Sequence, residues 1–479
     1  MQTPAPPRRS PYQGLIPYAE EDAPFFFGRD RDTRLIVANL FASPLTLLYG
    51  MSGVGKSSVL RAGAVNRLRG DEGVFVLFFN TWQGDALNDL KAALTKAVFA
   101  QATFAPARGR SAFAVAGGLR RFTPFRAPLA DYLAAWAARL GRRLMVILDQ
   151  FEEYFLYHPQ EDDFAEEFAR AVVRPNAPVN FLVSVREDAL AKLDRFEGRI
   201  PTLFDNYLRV EHLDRKAARA AIENPIRLYN TTLPSGEPPY SIEPALVEAV
   251  LEQVQTGQVV LGEAGRGVVK SEGDARVETP FLQMVMTRLW DEETRAGSRV
   301  LRLETLERLA DADKRESGAV RIVRTHLDET MGSLPPDKQG IAAEVFHYLV
   351  TPSGTKIAHT VPDLAEYAEV PQQQLRPALE ELAHGDVRIL RPVTPPHDQP
   401  REPRYEIFHD VLAPAVLDWR SRYVQAEERA ENERKLALEE QERRKAQQQL
   451  EREQRMVARQ RRYLALLALL LIAMLAATA

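Results

Sequence analysis

The residues with the clearest chemical signature lie in the stretch GMSGVGKSS, residues 50–58. It matches the pattern G-x-x-x-x-G-K-[ST] through Gly50, Gly55, Lys56 and Ser57. The glycines let backbone N–H groups turn toward phosphate oxygens, and a helix starting near Lys56 adds its positive N-terminal end. In this pattern the lysine reaches the outer phosphates and the serine hydroxyl ligates magnesium. We therefore predict an ATP or ADP site with Mg²⁺. Its nucleotide-binding residues are Gly50, Gly53, Val54, Gly55, Lys56, Ser57 and Ser58.

Acidic residues for such a site follow a second apolar run, LMVILDQFEEYF, residues 144–155. Asp149 lies at the end of this run and is predicted to help bind the magnesium ion together with Ser57. Either Glu152 or Glu153 is placed to polarise the attacking water, and the sequence leaves this choice open. The next apolar run ends in SVRED, where Arg186 is expected to sense the terminal phosphate.

These residues need a scaffold that brings several strand ends together. Apolar runs ending near Gly50, Trp82, Gln150, Asp188 and Leu213 alternate with helical stretches. Continuous apolar strands separated by helices indicate a parallel sheet covered on both faces, so an α/β P-loop NTPase domain is predicted. The strand before residue 50 and the helical stretch after it provide the context that the phosphate motif requires.

Downstream of this domain the pattern changes to mainly helical, interrupted by a Gly-rich polar stretch over 256–273. Helices and then two short strand candidates, VRILRPV and RYEIF, indicate a winged helix. The predicted segments are 1–24, a proline-rich lead; 25–213, the NTPase domain; 214–334, a helical domain; 335–423, the winged helix; 424–462, a charged helix or weak coiled coil; and 463–479, a transmembrane helix.

The last of these segments, YLALLALLLIAMLAATA, is uncharged and about 26 Å long as a helix, near the lower limit for crossing a bilayer. Arginines 455, 459, 461 and 462 precede it, which is the flank expected on the cytoplasmic side. We therefore predict membrane anchoring, with the NTPase domain facing the cytoplasm at a bacterial inner membrane. The alternatives are a buried core helix or a natural polypeptide that continues further.

Composition excludes several classes of protein. The chain has 479 residues, 45% hydrophobic and 27% charged, which is an ordinary globular balance with two to four folded units expected. With 62 Lys and Arg against 66 Asp and Glu, the net charge is −4, which disfavours a dedicated nucleic-acid binder. The absence of cysteine excludes disulfides, thiolate zinc sites and a cysteine nucleophile.

Taken together, these motifs resemble the STAND class of P-loop NTPases, which includes NACHT and plant-resistance-type switches. The chain looks closest to the bacterial novel STAND group. The resemblance is carried by the lead PYQGLIPYAEEDAPFFFGRDRD, residues 11–32, with GMSGVGKSSVLRAG and LDQFEEYF, and it covers residues 11–423. It implies an NTPase domain, a helical domain and a winged helix that close over ADP and open when ATP replaces it.

The resemblance also implies roles for further residues. Phe27, Gly28 and Arg29 would lie by the adenine, and Arg186 would act as the sensor arginine. Pro225, in ENP, resembles the proline of the helical domain that packs on the nucleotide. His409, in FHD, falls where relatives carry a Met-His-Asp-like motif whose histidine touches the ADP β-phosphate; by itself, it could simply end a strand before a helix capped by Asp410.

The predicted function is a membrane-tethered ATP/ADP switch whose slow ATP hydrolysis controls a signalling or bacterial defence assembly. A homo-oligomer in the ATP state and separate sensor or effector proteins are the expected partners, and nucleic acid is not. The alternatives are a winged-helix transcription regulator with an ATPase module and a nucleotide-stabilised membrane scaffold. A P-loop small-molecule kinase is disfavoured, because no substrate pocket is specified.

Overall fold

A computed structural model describes residues 10–82, 84–104, 126–160, 163–255, 276–310, 317–351, 356–383, 388–393, 403–408 and 412–478. Its contacts divide the chain into two units, Met1–Leu417 and Asp418–Ala479. The first unit contains the sheet that carries the phosphate motif.

That sheet has five parallel strands in the order β2-β3-β4-β1-β5. The strands are β1 Leu45–Gly50, β2 Val74–Phe79, β3 Arg143–Leu148, β4 Val179–Arg186 and β5 Tyr207–Arg209. Nearly every residue of the first four strands is buried, because helices cover both faces of the sheet. The predicted parallel α/β architecture is confirmed.

Strand β4 lies between β3 and β1, so three functional strand ends meet at one edge. Gly50 at the end of β1 pairs in register with Arg186 at the end of β4. Leu148, which precedes Asp149, pairs with Val183. The parallel register therefore brings the phosphate loop, the acidic residue and the arginine to the same side of the sheet.

Strand β1 ends at Gly50 as predicted, and the other four strands end earlier than the sequence predicts. β2 ends at Phe79. The segment after it passes over the end of β3, because the Trp82 indole N–H donates to the Asp149 carbonyl at 2.9 Å. After β4, a 3₁₀ helix begins at once over Glu187–Phe196. Trp82 after β2 and Phe196 at the end of this 3₁₀ helix pack against the ring of Phe151 in one aromatic cluster.

Helices of the sheet region flank the strands on both faces. A 3₁₀ helix over Glu20–Phe25 comes first, and a π-helical turn over Val59–Val65 joins two of the helices. The helices are α1 Asp30–Ala42, α2 Lys56–Ser58, α3 Asn66–Arg69, α4 Ala86–Phe104, α5 Leu129–Leu140, α6 Phe151–Tyr157 and α7 Asp163–Val173.

A mainly helical region follows. Its helices are α8 Arg215–Thr231, α9 Pro244–Gln253, α10 Thr279–Arg295, α11 Leu303–Leu309 and α12 Gly318–Ser333, and β6 Ser241–Ile242 pairs in parallel with β7 Val300–Leu301. The Asp214 carboxylate caps α8 by accepting from Ala217 N at 2.7 Å, and Ser317 caps α12. The predicted loop over 256–273 lies outside the described residues.

The elements that follow up to residue 408 are called the C-terminal module below. They are α13 Pro336–Leu349, β8 His359–Thr360, α14 Val361–Tyr367, α15 Gln372–Ala383, β9 Leu390–Val393 and β10 Arg404–Ile407. The three strands form one antiparallel sheet in the order β8-β10-β9. Thr360 and Asp363 form a capping box that starts α14.

The last helix, α16, covers Ala413–Thr478. In the second unit, side chains four residues apart form ion pairs along the charged helix, with Lys435 and Glu431 at 2.8 Å and Arg444 and Glu440 at 3.6 Å. Within the described residues, no helix is both long enough and apolar enough to cross a membrane. The structure therefore does not bear out the predicted transmembrane helix over 463–479. The side chains of residues 465–479 lie outside the description.

Candidate functional site

The loop between β1 and α2 requires glycine at several positions. Gly53 and Gly55 have φ of +80° and +93°, in the left-handed region that side chains disfavour, and Gly55 is the N-cap of α2. At Gly50 a Cβ atom would lie 2.4 Å from the Val210 carbonyl oxygen. These constraints explain the glycine pattern as the requirement of a loop that wraps around a bound anion.

Lys56 begins the helix that follows this loop. Its Nζ donates to the Gly50 carbonyl at 2.7 Å and to the Met51 carbonyl at 3.0 Å. Burial lowers the pKa of Lys56, and the carboxylates of Glu152 and Asp149 oppose that shift. The ammonium group thus lies inside the loop, between its carbonyls and the acidic residues that follow β3.

The N-terminal lead fixes the loop from the opposite side. Arg29, only 6% exposed, donates from Nη2 to the Val54 carbonyl at 2.6 Å and from Nη1 to Asp32 at 2.7 Å. Gly28, with φ of +86°, leaves room for α8, because a Cβ there would lie 2.4 Å from the Ala217 carbonyl oxygen. Arg29 therefore supports the backbone of the loop, and Gly28 packs the lead against the helical region.

Asp149 and Ser184 supply unsatisfied polar atoms at the edge of the sheet. Asp149 is 1% exposed and Ser184 is fully buried. Neither Oδ2 of Asp149 nor Oγ of Ser184 has a hydrogen-bond partner among the described residues. Buried polar groups are normally paired, so these two atoms favour a ligand or ion with complementary groups.

The two glutamates occupy the first turn of α6, after Gln150 in a left-handed conformation with φ of +56°. Glu152 lines the cavity above the loop and accepts from the Arg186 backbone N–H at 3.2 Å. Glu153 is absent from the cavity lining. Burial raises the pKa of both carboxyls, that of Glu153 to about 7. Of the two, Glu152 is the one whose carboxylate faces the site.

Arg186 is 11% exposed and is held by two carboxylates. Its Nε and Nη2 donate to Asp188 at 3.0 and 2.6 Å, and Nη2 also lies 3.5 Å from Glu406 Oε1. Asp188 follows in the same segment, whereas Glu406 belongs to β10 of the C-terminal module. Arg186 thus joins the edge of the parallel sheet to that module.

Glu406 is the centre of a buried cluster of charges. Its Oε1 accepts from Arg391 Nε at 2.7 Å and lies 3.6 Å from Lys356 Nζ, in addition to the Arg186 contact. Burial, and after it the Arg186 cation, lower the pKa of Arg391. A single carboxylate is therefore shared by three cations, among them the buried Arg391, between the sheet and the C-terminal module.

One cavity contains most of the residues predicted from sequence. Its lining includes Arg29, Gly53, Gly55, Lys56, Ser57, Ser58, Asp149, Glu152 and Arg186, as well as Phe27. Gly28, Gly50, Val54, Glu153 and Pro225 are absent from the lining. Pro225 is buried within α8, one turn after Ala221, which does line the cavity. His409 and Asp410 lie outside the described residues, while their neighbour Phe408 is part of the lining.

Several residues of the site were not predicted. Ser184, Thr279, Gln283 and Arg388 line the cavity, and Glu406 contacts Arg186 beside it. Strand alternation could have identified Ser184, because residues two apart on β4 face the same side as Arg186. The others come from distant parts of the chain, and no local motif marks them.

The geometry fits a magnesium nucleotide. In the described part of the chain, no group of three or more His, Cys, Asp or Glu side chains could hold a metal ion. Magnesium is typically bound by one or two protein groups together with phosphate oxygens and water. Ser57 and the unpaired carboxylate oxygen of Asp149 line the same cavity and are suited to that arrangement.

Similarity to a family model supports a nucleotide-binding site. The family model described as Novel STAND NTPase 1 matches residues 11–455. No curated protein matches the chain. Similar solved structures include the Aeropyrum pernix ORC1 protein in complex with DNA, with 14% identity, coverage of 83% of this chain and 93% of that one, and a TM-score of 0.42.

A Walker-type ATPase of Pyrococcus abyssi is also similar, with 17% identity, coverage of 84% and 98% of the two chains, and a TM-score of 0.40. CDC6p from Pyrobaculum aerophilum has 12% identity, coverage of 82% and 94%, and a TM-score of 0.37. The family match spans nearly the whole chain and includes the lead, the phosphate loop and the acidic strand end. The protein therefore belongs to the Novel STAND NTPase 1 family.

Proposed function

We propose that this protein is an ATP- and ADP-binding switch whose C-terminal module responds to the bound nucleotide. One observation carries the proposal: Glu406 of the module contacts Arg186 at 3.5 Å, at the strand end beside the phosphate loop. Arg388 and Phe408 of the module also line the nucleotide cavity. A change of charge at the phosphates would therefore act on the surface where the module contacts the sheet.

In the proposed hydrolysis, the phosphate loop and Lys56 bind the phosphates. Glu152 accepts a proton from a water molecule while the water oxygen attacks the γ-phosphorus. The bond between the γ-phosphorus and the β–γ bridging oxygen breaks, which gives ADP and phosphate. Arg186 stabilises charge on the transferred group. A magnesium ion, held by Ser57 and Asp149, would neutralise phosphate charge. We expect turnover to be slow.

The switch step follows from competition for Arg186. Without a third phosphate, the Arg186 guanidinium donates to Asp188 and contacts Glu406. A γ-phosphate carries more negative charge than Glu406 and would draw the guanidinium away. The module would then lose one of its polar contacts to the sheet and could move as a body.

We further propose that the C-terminal module is a winged helix, because its order is a helix, a short strand, two helices and an antiparallel strand pair. We propose that the protein forms an oligomer in the ATP state. The proposed output of the switch is control of a signalling or defence assembly. Three statements remain predictions from sequence: that His409 contacts a phosphate, that the domain boundaries lie where the sequence places them, and that the protein is located at a bacterial inner membrane.

Replacing Glu406 tests the contact between module and sheet. In Glu406→Gln, ADP should dissociate about tenfold faster or more, because loss of one member of a buried charge cluster leaves the cations uncompensated. Dissociation is measured by displacing a fluorescent ADP analogue from the full chain. Glu381→Gln is the matched control, since Glu381 pairs with Lys338 on the surface of the same module.

A second variant separates release from misfolding. The double variant Glu406→Gln/Arg391→Gln removes the Arg391 guanidinium together with the Glu406 carboxylate. The module should therefore stay folded while ADP release stays fast. Equal release rates for wild type, the control and both Glu406 variants would refute closure of the site by this contact.

A further inference from the structure

The part of the cavity away from the phosphate loop is bounded by the first turn of α10. Thr279, Pro280 and Gln283 line it. Tyr18 connects the N-terminal end of α10 to α2, because its backbone N–H donates to Ser58 Oγ at 3.2 Å and its hydroxyl donates to Gln283 Oε1 at 3.2 Å. Gln283 therefore lies about one tyrosine length from the phosphate end of the cavity. The base of a bound nucleotide would lie at this Gln283 end.

The walls of this end are suited to a flat ring. Phe25, Phe26, Phe27, Leu213, Ala221 and Pro280 contribute to the lining. The rings of Tyr18 and Phe26 pack with centroids 5.2 Å apart. Apolar and aromatic surfaces with a small number of oriented polar groups are typical of ligand sites that select one ring system.

The orientation of the Gln283 amide is fixed. The side chain is 6% exposed, and its Oε1 accepts from the Tyr18 hydroxyl and also from the Gln13 backbone N–H at 3.4 Å. A backbone N–H can only donate, so the oxygen must face Gln13. In the described part of the chain, the amide nitrogen of Gln283 has no hydrogen-bond acceptor, which leaves it as a donor for a ligand.

Thr279 adds a second oriented group one turn earlier on the same helix face. Its Oγ1 is buried and has no hydrogen-bond partner among the residues that the structure describes. Residues four apart on a helix lie next to each other, so this hydroxyl and the Gln283 amide face one edge of the same ligand.

We propose that Gln283 and Thr279 bind the 1,6-edge of the purine and that Gln283 selects adenine over guanine; this rests on the nucleotide-binding function proposed above. The Gln283 amide nitrogen donates to adenine N1, and Thr279 Oγ1 accepts from the C6 amino group. Guanine has the opposite pattern, an acceptor at C6 and an N–H at position 1. A mismatched buried donor or acceptor is costly, so guanine nucleotides bind weakly.

Gln283→Glu tests this assignment with a minimal change. The new carboxylate keeps an oxygen for Tyr18 and Gln13 but replaces the amide donor by an acceptor. We expect the ratio of GTP to ATP dissociation constants to fall by about 100-fold at pH 8, where the carboxylate is ionised. Binding of fluorescent ATP and GTP analogues to the full chain gives the ratio. Gln373→Glu, at an exposed position of α15, is the control with the same charge change.

Thr279→Val provides an independent variant of nearly the same shape. It removes only the hydroxyl, which can accept from the adenine C6 amino group or donate to the guanine C6 oxygen. ATP and GTP should therefore both bind about tenfold more weakly, and their ratio should stay the same. An unchanged ratio in Gln283→Glu, unchanged affinities in Thr279→Val, or a wild-type protein that binds ATP and GTP equally would overturn base reading by these residues while nucleotide binding stands. A wild-type protein that binds neither nucleotide would refute the nucleotide-binding proposal itself.

Discussion

Lys56→Ala is expected to weaken ATP and ADP binding by at least about 100-fold, or about 3 kcal/mol. The Lys56 ammonium lies among the loop carbonyls of Gly50 and Met51, and it is the cation of the loop that can reach the outer phosphates. Its charge is desolvated, so an interaction with phosphate is stronger there than at the surface. Isothermal titration calorimetry on the full chain measures both affinities.

Lys216→Ala is the matched control for this experiment. Lys216 is an exposed lysine in α8, so the substitution makes the same change in charge without touching the cavity. Its affinities should stay within about threefold of wild type. Retained affinity in Lys56→Ala, with a melting temperature like that of the control, would show that nucleotide does not bind at this loop.

Glu152→Gln is expected to reduce the rate constant of ATP hydrolysis by about 10²- to 10³-fold while nucleotide affinity changes little. Glu152 faces the cavity and lies near Lys56 and Asp149, whereas Glu153 is one position further and outside the lining. The isosteric amide preserves packing and the bond from Arg186 but cannot accept a proton. Single-turnover hydrolysis of labelled ATP measures the chemical step.

Glu153→Gln distinguishes the two carboxylates. Its hydrolysis rate should stay within about threefold of wild type at pH 8. Burial raises the pKa of Glu152, so a base at this position is increasingly ionised as pH rises, and the wild-type rate should increase with it. A larger loss in Glu153→Gln than in Glu152→Gln would assign the base to Glu153.

Local patterns were sufficient for much of this site. The glycine, lysine and serine of residues 50–58 are adjacent in sequence, and their roles follow from the conformation of one loop. Asp149 and Arg186 follow buried strands, so their meeting at one edge could be predicted from parallel pairing alone. The choice between Glu152 and Glu153 needed coordinates, because it depends on the direction of the first turn of α6.

Other features depend on contacts between distant segments. Arg186 and Glu406 are 220 positions apart, and neither side chain belongs to a motif that indicates the other. Gln283 could equally have been a surface residue of a helix; its role depends on Tyr18 and Gln13 from the lead. Gly28 is predicted to lie by the adenine; its close approach to Ala217 of α8 is a further contact that no local motif indicates.

The absence of cysteine from the sequence allows the central claim to be tested by distance measurement. Cysteines introduced at Asp71 in the NTPase part and at Gln373 in the C-terminal module would be the only thiols for spin labels. Both positions are exposed. A pair at Asp71 and Glu197, both in the NTPase part, serves as the control that should not respond to nucleotide.

Double electron–electron resonance on the full chain, with ADP and with a non-hydrolysable ATP analogue, then reports on the module directly. The switch account predicts a single short distance for the 71–373 pair with ADP and a longer, broader distribution with the ATP analogue, while the 71–197 distance is the same in both. Identical 71–373 distributions with the two nucleotides, each bound at saturation, would contradict it.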